Sequence, residues 1–461
     1  MGKEKGPRVP TTPLRPTKAN VGDRSNLGDI LTSMTTVTDE LFSRTQPAAL
    51  EMPDWFSEQQ SEAQKVFENE PFPARTDEMW RFSSIKNVAI NQFPVAGEFS
   101  ADVQSIVDAR KYRKPAGRII FANESLISAE LYDRKLAEAG VIFTTLAEAL
   151  VSHSELLREH FMAQTVRLGS KKFAALHATR VKAGVLLRVP RGVEVTAPFE
   201  VFHLCEGDEA SVFPHTLVIA EDLSRVTVLE HFVSADPEHR GFACGVNDLV
   251  LKPGAKLNYV SVQEWSPKFV SIQVNSTVVE KDANALNLAV NFGGKYSRLE
   301  SMSRMVGGGA RSDMLALSIA RGEQEFDQRT LQDHLHPDTT SDLLYKNALY
   351  DKARTIFSGL IKVEPGAHRT DAYQKVRNLL LSDDAEANSM PGLEILADDV
   401  RCTHGATSGQ VEPEELFYLK SRGIADLPAK QLIVRGFLNE VVDRVQHPEL
   451  TEYLHREIAS R

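Results

Sequence analysis

The feature that most constrains the fold is a stretch of roughly 220 residues, from Val185 to about residue 405, in which no helical pattern of normal length occurs. Turn signals such as Arg191-Gly192 and Pro253-Gly254 recur along it, and short β-rich or alternating runs lie between them. This is more short strands than a single β-sandwich usually contains. A solenoid can stack strands without limit, because each coil buries the face of its neighbour. The stretch therefore predicts a mainly β fold with a parallel β-helix core at 181–410, although no strict hexapeptide or nonapeptide repeat is present.

Helical spacing returns on both sides of this core. On the N-terminal side, helices are predicted at 27–42, from Asp54, at 129–139 and at 146–161, with strands at 119–121 and 141–143, which gives a mostly helical α/β domain over 26–180. Trp80 and Phe82 are predicted to anchor a connecting segment to the core. Residues 1–25, rich in proline and basic residues, are predicted to be a flexible lead-in.

The C-terminal residues 411–461 are predicted to be a helical domain, with one helix opening at Pro413 and another near Pro428. The second helix carries an apolar stripe that includes Ile433, Phe437 and Val441. A stripe this wide must be covered. It either packs on the preceding helix or presents a docking surface for a partner.

Composition and charge exclude several classes of function. A net charge of −10 argues against general nucleic-acid binding, which needs a basic surface. No apolar run is long enough for a transmembrane helix, and we expect no signal peptide and no membrane association. Three cysteines do not form a closed disulfide framework, which favours a reducing compartment. We therefore predict a cytoplasmic protein, with the plastid stroma as the alternative.

Cys402 and His404 are the candidate ligands of a metal or a sulfur species. If their segment is extended, residues two apart point to the same face, so the thiol and the imidazole lie side by side. Two ligands do not complete a zinc or iron–sulfur site, so the pair is either structural or completed by something else. His334 and His336 have the same spacing, but a turn follows directly and we expect them to face solvent.

The remaining candidates are weaker. Cys205 and Cys244 lie in strand-like runs and are predicted to be core residues. Asp398 and Asp399 form an acidic pair of the kind that polysaccharide lyases or hydrolases with β-helix folds use. That enzyme class is kept as the alternative function, although the chain has only 7% aromatic residues.

Several motifs resemble those of the SufB/SufD family of iron–sulfur cluster assembly proteins, and of its SufD branch in particular. The matching stretches cover about residues 50–450, and they are CTHGAT at 402–407, ELFYLKSRGI at 415–424, TDAYQKVRNLLLS at 370–382, SDLLYK at 341–346, IFSG at 356–359, NFGG at 291–294 and the segment 73–82. The SufB pattern has an acidic EHEAT where this chain has Cys402 and Gly405, so the resemblance is to SufD. The departures, at the proline-rich lead-in and at 410–413, do not touch the candidate site.

The resemblance implies a non-enzymatic scaffold subunit of a SufBCD complex. It implies a right-handed parallel β-helix that pairs with SufB, C-terminal helices at 411–461 that dock the SufC ATPase, and a possible homodimer when the chain is alone. In the family, the histidine that matches His404 is implicated in building the nascent cluster at the SufB–SufD interface, and the role of the cysteine that matches Cys402 is less certain. We therefore predict no stably bound cofactor, a transient cluster or iron at His404 and Cys402, and SufC docking through Ile433, Phe437 and Val441.

Overall fold

A computed structural model describes residues 52–461 of the chain, apart from residues 75, 85, 87–93 and 95. The predicted lead-in at 1–25 and the predicted helix at 27–42 lie outside these residues. In the described part, no helix is both long and apolar enough to cross a membrane.

In the described chain, helices alternate with three short strands at the N-terminal side, an unbroken series of strands follows, and helices return at the C-terminal end. The helices are α1 Asp54–Asn69, α2 Val103–Asp108, α3 Arg134–Glu138, α4 Leu146–Ser152, α5 Ser154–His160, α6 Lys171–Arg180, α7 Pro413–Ser421, α8 Asp426–Val442 and α9 Pro448–Ala459. The strands are β1 Gly117–Ala122, β2 Ser125–Leu131, β3 Ile142–Thr145, β4 Gly184–Val189, β5 Phe199–Cys205, β6 Ala210–Val212, β7 His215–Ala220, β8 Arg225–Ser234, β9 Gly241–Leu251, β10 Lys256–Glu264, β11 Phe269–Val279, β12 Asn284–Asn291, β13 Tyr296–Met305, β14 Arg311–Ala320, β15 Glu325–His334, β16 Thr340–Leu349, β17 Arg354–Val363, β18 Asp371–Leu380, β19 Glu386–Ile395 and β20 Arg401–Gln410.

The strands form a β-solenoid with two long sheets, which confirms the fold class. The first sheet runs β2-β1-β5-β8-β10-β12-β14-β16-β18-β20, and the second runs β19-β17-β15-β13-β11-β9-β7-β4-β3. Alternate strands pair in parallel, so each coil places one strand in each sheet. The residues in register along the first sheet lie one coil apart, and they are Lys256, Asn284, Arg311, Thr340, Asp371 and Arg401.

One corner of the solenoid is built from residues in the left-handed conformation. Successive coils place Gly254, Asp282, Gly309, Asp338 and Arg369 there with φ between 56° and 76°. Each is linked to the corner of the next coil by backbone hydrogen bonds, as from Gly309 N to Asp338 O. Because only glycine and, less readily, short polar residues adopt this conformation cheaply, the Gly and Asp turn signals in the sequence mark the corner.

The inside of the solenoid is partly polar. Gln328 donates to the Asn347 side chain at 3.0 Å, and Asn347 donates to Asn378 at 2.8 Å. Asn378 then donates to Ser389 and Ser408, on β19 and β20, at 3.3 and 3.1 Å. We call this series the amide ladder; it runs along the interior and reaches the last coil.

The outer face of the first sheet is covered by the C-terminal helices. Val434, Leu438, Val441 and Val442 of α8 and residues of α9 pack on outward-facing apolar residues of β10 to β16, such as Leu317. The predicted stripe is therefore covered by the solenoid rather than by the preceding helix. Burial of this apolar area fixes both helices to the sheet.

The outer face of the second sheet is covered by N-terminal segments that meet a buried charge network. Arg298 is fully buried, and its guanidinium bonds Glu300 at 2.7 Å and Asp327 at 2.5 Å. It also donates to the carbonyl of Leu168 and lies 3.7 Å from the ring centroid of Trp80. The prediction that Trp80 anchors a segment to the core is confirmed.

Two local predictions were wrong. Residues 129–139 do not form one helix, because Asn123 and Glu124 make a tight left-handed turn that pairs β2 with β1, and only the short α3 follows. Phe82, whose backbone is also left-handed with φ of 69°, is 42% exposed, so its ring is not buried in the core as an anchor would be.

Candidate functional site

The candidate site lies on β20, the last strand of the first sheet. β20 pairs with β18 on one side and has no strand on the other side within the described residues. The last strand of the second sheet, β19, likewise pairs only with β17. One end of the solenoid therefore presents two ten-residue sheet edges whose outer hydrogen-bonding groups are open.

Cys402 faces the interior of the last coil. It is partly buried and packs against Ile361, Val363 and Ala372. This burial raises the pKa of the Cys402 thiol, and the negative charge of Asp371 raises it further. The thiol is therefore protonated at neutral pH, and a metal ion has to displace the proton before the sulfur becomes a strong ligand.

His404 follows on the same face of the strand but is exposed. It is in register with Gln374 of β18, and Cys402 is in register with Ala372. Ala372 and Gln374 are covered by the last coil, whereas in the described part of the chain no further coil covers His404. The structure therefore brings Cys402 and His404 together, as the alternation of a strand predicts, at a face that is open to a partner.

The pair is an incomplete ligand set. Within the described residues, no group of three or more His, Cys, Asp or Glu side chains is arranged to hold a metal ion. Histidine and thiolate are ligands that suit zinc, iron and iron–sulfur species, and such sites need further donors. What the arrangement offers chemically is one soft and one borderline ligand on an open surface.

The other histidine pair is not a site. His334 is fully buried, and its two ring nitrogens lie 2.8 Å from the hydroxyls of Thr339 and Ser341. Burial lowers the pKa of His334 to about 3, so the ring is neutral and its nitrogens are already occupied. Our expectation that it faces solvent was wrong, because the last residue of β15 still points inward; His336 is exposed, as predicted.

The cysteines of the core and the acidic pair have structural positions. Cys205 and Cys244 are buried, and burial raises the pKa of both thiols, which confirms them as core residues. Asp398 and Asp399 lie at the left-handed corner, where Asp399 has φ of 53° and its carbonyl accepts from Arg369 N. Aspartate tolerates the left-handed conformation of this corner, which accounts for its presence there without a catalytic role.

The three predicted docking residues divide between core and surface. Val441 is fully buried against the solenoid, so in this structure it packs and has no surface to offer a partner. Phe437 is half-buried against the same core and covers the Lys346 ammonium, which contacts Glu440. Ile433 is half-buried. For Ile433 and Phe437, docking stays a prediction.

Sequence reasoning missed the most exposed apolar residues of the C-terminal helices. Phe417 and Tyr418 on α7 and Leu427 on α8 are 73%, 56% and 67% exposed, and α7 has no buried side chain. It also missed Gln374, which is fully buried and whose amide has no hydrogen-bond partner among the described residues. Phe417 and Tyr418 stand in a stretch of four apolar residues at 416–419, which is a signal that a surface helix needs a partner.

Comparisons with known proteins give matches over most of the chain. The SufBD core domain model of SUF-system FeS cluster assembly matches residues 203–437, and the SufBD protein N-terminal region matches residues 35–201. The chain is 30% identical over 406 residues to the iron–sulfur cluster assembly protein SufD of Bacillus subtilis, covering 85% of this chain and 91% of that protein. It is 27% identical over 395 residues to SufD of Escherichia coli, covering 84% and 89%. It is 31% identical over 312 residues to a SufBD family protein of Mycobacterium tuberculosis, covering 63% and 77%.

Proposed function

The chain belongs to the SufBD family of iron–sulfur cluster assembly proteins, and from this membership we propose that it is the SufD-type scaffold subunit of a complex with SufB and the SufC ATPase. In this proposal the chain performs no catalysis of its own. It holds part of the nascent cluster at the interface with SufB, while SufC hydrolyses ATP. A reducing compartment such as the cytoplasm suits its three free cysteines.

The observation that carries the proposal is the open end of the solenoid with Cys402 and His404 on it. An exposed, long sheet edge pairs readily with another chain, and here two such edges lie side by side on β19 and β20. Leu393, Ile395 and Leu396 are also exposed there, which adds apolar surface for a partner to cover. A SufB solenoid that continues both sheets would bury this surface.

The incomplete ligand set supports a site that is shared between two subunits. Cys402 and His404 supply two donors, and a thiolate of SufB is proposed to supply the remainder. Metal binding by the separate chain is then weak, and the site becomes competent only on assembly. Because the ligands come from two chains, a change in their relative position driven by SufC would load or release the cluster. The cluster is cargo and is not stably bound.

The surface proposed to dock SufC is formed by α7 and the start of α8. We define this docking surface by Phe417, Tyr418, Leu427 and Leu432, which are all at least 46% exposed. A helix with no buried side chain and two exposed aromatic rings gains little from folding alone, so a partner is the natural source of its burial. Ile433 follows Leu432 directly on α8, and Phe437 lies one turn further along the same helix.

The test of the proposal is cluster assembly by the purified complex of this chain with its own SufB and SufC. His404→Ala removes one proposed ligand, and because the side chain is exposed the fold and the complex should persist. We expect the rate of cluster formation, followed by visible absorbance, to fall at least tenfold. The matched control is His336→Ala, which removes an exposed histidine at a corner two coils away and should leave the rate unchanged. Equal rates for His404→Ala and the wild type would show that the site is not used.

A further inference from the structure

Gln374 is a fully buried side chain whose amide has no partner. Neither its Oε1 nor its Nε2 makes a hydrogen bond within the described residues. Gln328, another interior amide, donates instead to Ser318 and Asn347, whereas in Gln374 both ends of the amide are unpaired. A buried amide with both ends unpaired costs free energy, so its presence calls for a reason outside the isolated chain.

The interior is shaped to receive this amide. Gly359 of β17 lies opposite, and a Cβ atom at that position would overlap the Gln374 Nε2 atom. The Thr330 hydroxyl borders the same space and also lacks a partner. The absence of a side chain at Gly359 therefore leaves a slot with unused hydrogen-bonding capacity, one coil behind the open end.

His404 is the residue stacked next to Gln374. The two are register partners in the parallel pair β18–β20, on the same inward face. Neighbouring strands lie about 4.8 Å apart, which brings an imidazole within reach of a glutamine amide. A histidine that binds a metal through one ring nitrogen generally donates its other N–H to a carbonyl or carboxylate oxygen, which fixes the tautomer and the ring orientation.

We infer that Gln374 is the positioning residue of His404: when the open end is closed by the partner, the Gln374 Oε1 accepts the N–H of one His404 ring nitrogen and leaves the other nitrogen free as the ligand. This inference rests on the proposed function of His404. It explains why the amide is unpaired in the isolated chain, because its partner His404 is exposed there and is covered only on assembly. Gln374 does not touch the metal or cluster itself.

The experiment measures Co²⁺ binding, as a spectroscopic probe of the iron site, by the complete complex with SufB and SufC. Gln374→Leu keeps the volume but removes the acceptor, and we expect an affinity about 10–100-fold lower than that of the wild type. Gln374→Glu keeps an acceptor oxygen and should restore most of this affinity. Since Gln374→Leu also removes an unpaired buried amide, its thermal unfolding midpoint should equal or exceed that of the wild type.

The controls separate positioning from a structural role and from the function of the site. Gln328→Leu breaks satisfied hydrogen bonds elsewhere in the interior, so it should lower the unfolding midpoint and leave Co²⁺ affinity unchanged. If His404→Ala lowers Co²⁺ affinity but Gln374→Leu does not, the positioning role is overturned and the proposed function stands. If Gln374→Leu lowers both the midpoint and the affinity and Gln374→Glu does not rescue the affinity, the residue is structural and the inference is overturned. If the complex with His404→Ala binds Co²⁺ as tightly as the wild type does, His404 is not a ligand. The proposed function is then wrong, and the inference that rests on it is overturned as well.

Discussion

The polar residues of this molecule fall into two groups. Some find their hydrogen-bond and ion-pair partners within the chain, and others are proposed to find them in another chain. The charges beneath the N-terminal segments belong to the first group. Burial by itself would raise the pKa of Asp327, but the guanidinium groups of Arg298 and Arg329 hold the pKa below its usual value. Gln374 and His404 belong to the second group. The motif singled out His404 in the sequence. Gln374 lies within the matching stretch at 370–382, but the pattern gave no reason to single it out, because an unpaired amide is a property of its three-dimensional surroundings.

Replacing Arg298 by Met tests the buried charge network. The change leaves Asp327 and Glu300 without their shared cation, and breaking a buried pair in this way costs about 3–5 kcal/mol of unfolding free energy. Denaturant titration with a fluorescence readout measures the difference. Arg240→Met is the matched control, since Arg240 pairs with Asp208 at the surface and its loss should change the unfolding free energy far less than the loss of Arg298 does. A small effect at Arg298 would mean that water reaches the network.

Among the elements, the C-terminal helices show what sequence periodicity does and does not settle. The position of α7, the start of α8 and the apolar stripe were predicted from spacing, and the solenoid strands were predicted from turn signals. The stripe did not reveal which surface covers it. Apolar periodicity shows which face of a helix is buried, but it does not show which element packs against that face. The solenoid covers it, and the exposed residues lie instead on α7 and the first turns of α8. The helix predicted at 129–139 failed because pairing with β1 outweighs the helical propensity of a short segment.

Phe417→Asp tests the docking surface. Because Phe417 is 73% exposed, the unfolding free energy should change by no more than about 0.5 kcal/mol. Binding to the SufC ATPase, measured by calorimetry, should weaken at least tenfold, since a carboxylate replaces an aromatic anchor. Leu223→Asp, at an exposed corner of the solenoid, introduces the same charge and should leave binding unchanged. Full affinity in Phe417→Asp would place docking on another surface.

At the scale of the described chain, residues 52–461 are built around a solenoid with one end that differs from the rest. The sheets are covered on their outer faces by helices and segments of the same chain, but β19 and β20 end without a cap within the described residues. The sequence predicted a β-helix and the position of its last coil. It did not predict that the end is open, because a sheet edge is defined by what is missing beside it and not by the residues on it.

Leu393→Asp tests the open end. The substitution places a carboxylate on the inner face of β19, where it reaches water in the free chain and would be buried in a pair of solenoids. We expect light scattering to show loss of the heterodimer with SufB, and of any homodimer of the chain alone, with an unchanged unfolding transition. Leu126→Asp, on the exposed strand β2 at the far end of the first sheet, should keep both. A persistent heterodimer in Leu393→Asp would mean that SufB binds elsewhere.

The amide ladder has a consequence for the choice of partner. Because the Asn378 amide donates to the hydroxyls of Ser389 and Ser408 in the last coil, the polar interior reaches the surface where a second solenoid would begin. A partner with only apolar side chains at that point would bury those hydroxyls without hydrogen-bond partners. The free energy lost in this way would weaken binding of such a partner. A chain whose own interior continues with amides or hydroxyls would extend the series instead. The polar interior, which is exposed only at the open end, therefore contributes to partner specificity. It favours a related solenoid with a polar interior over any other protein that offers a free strand.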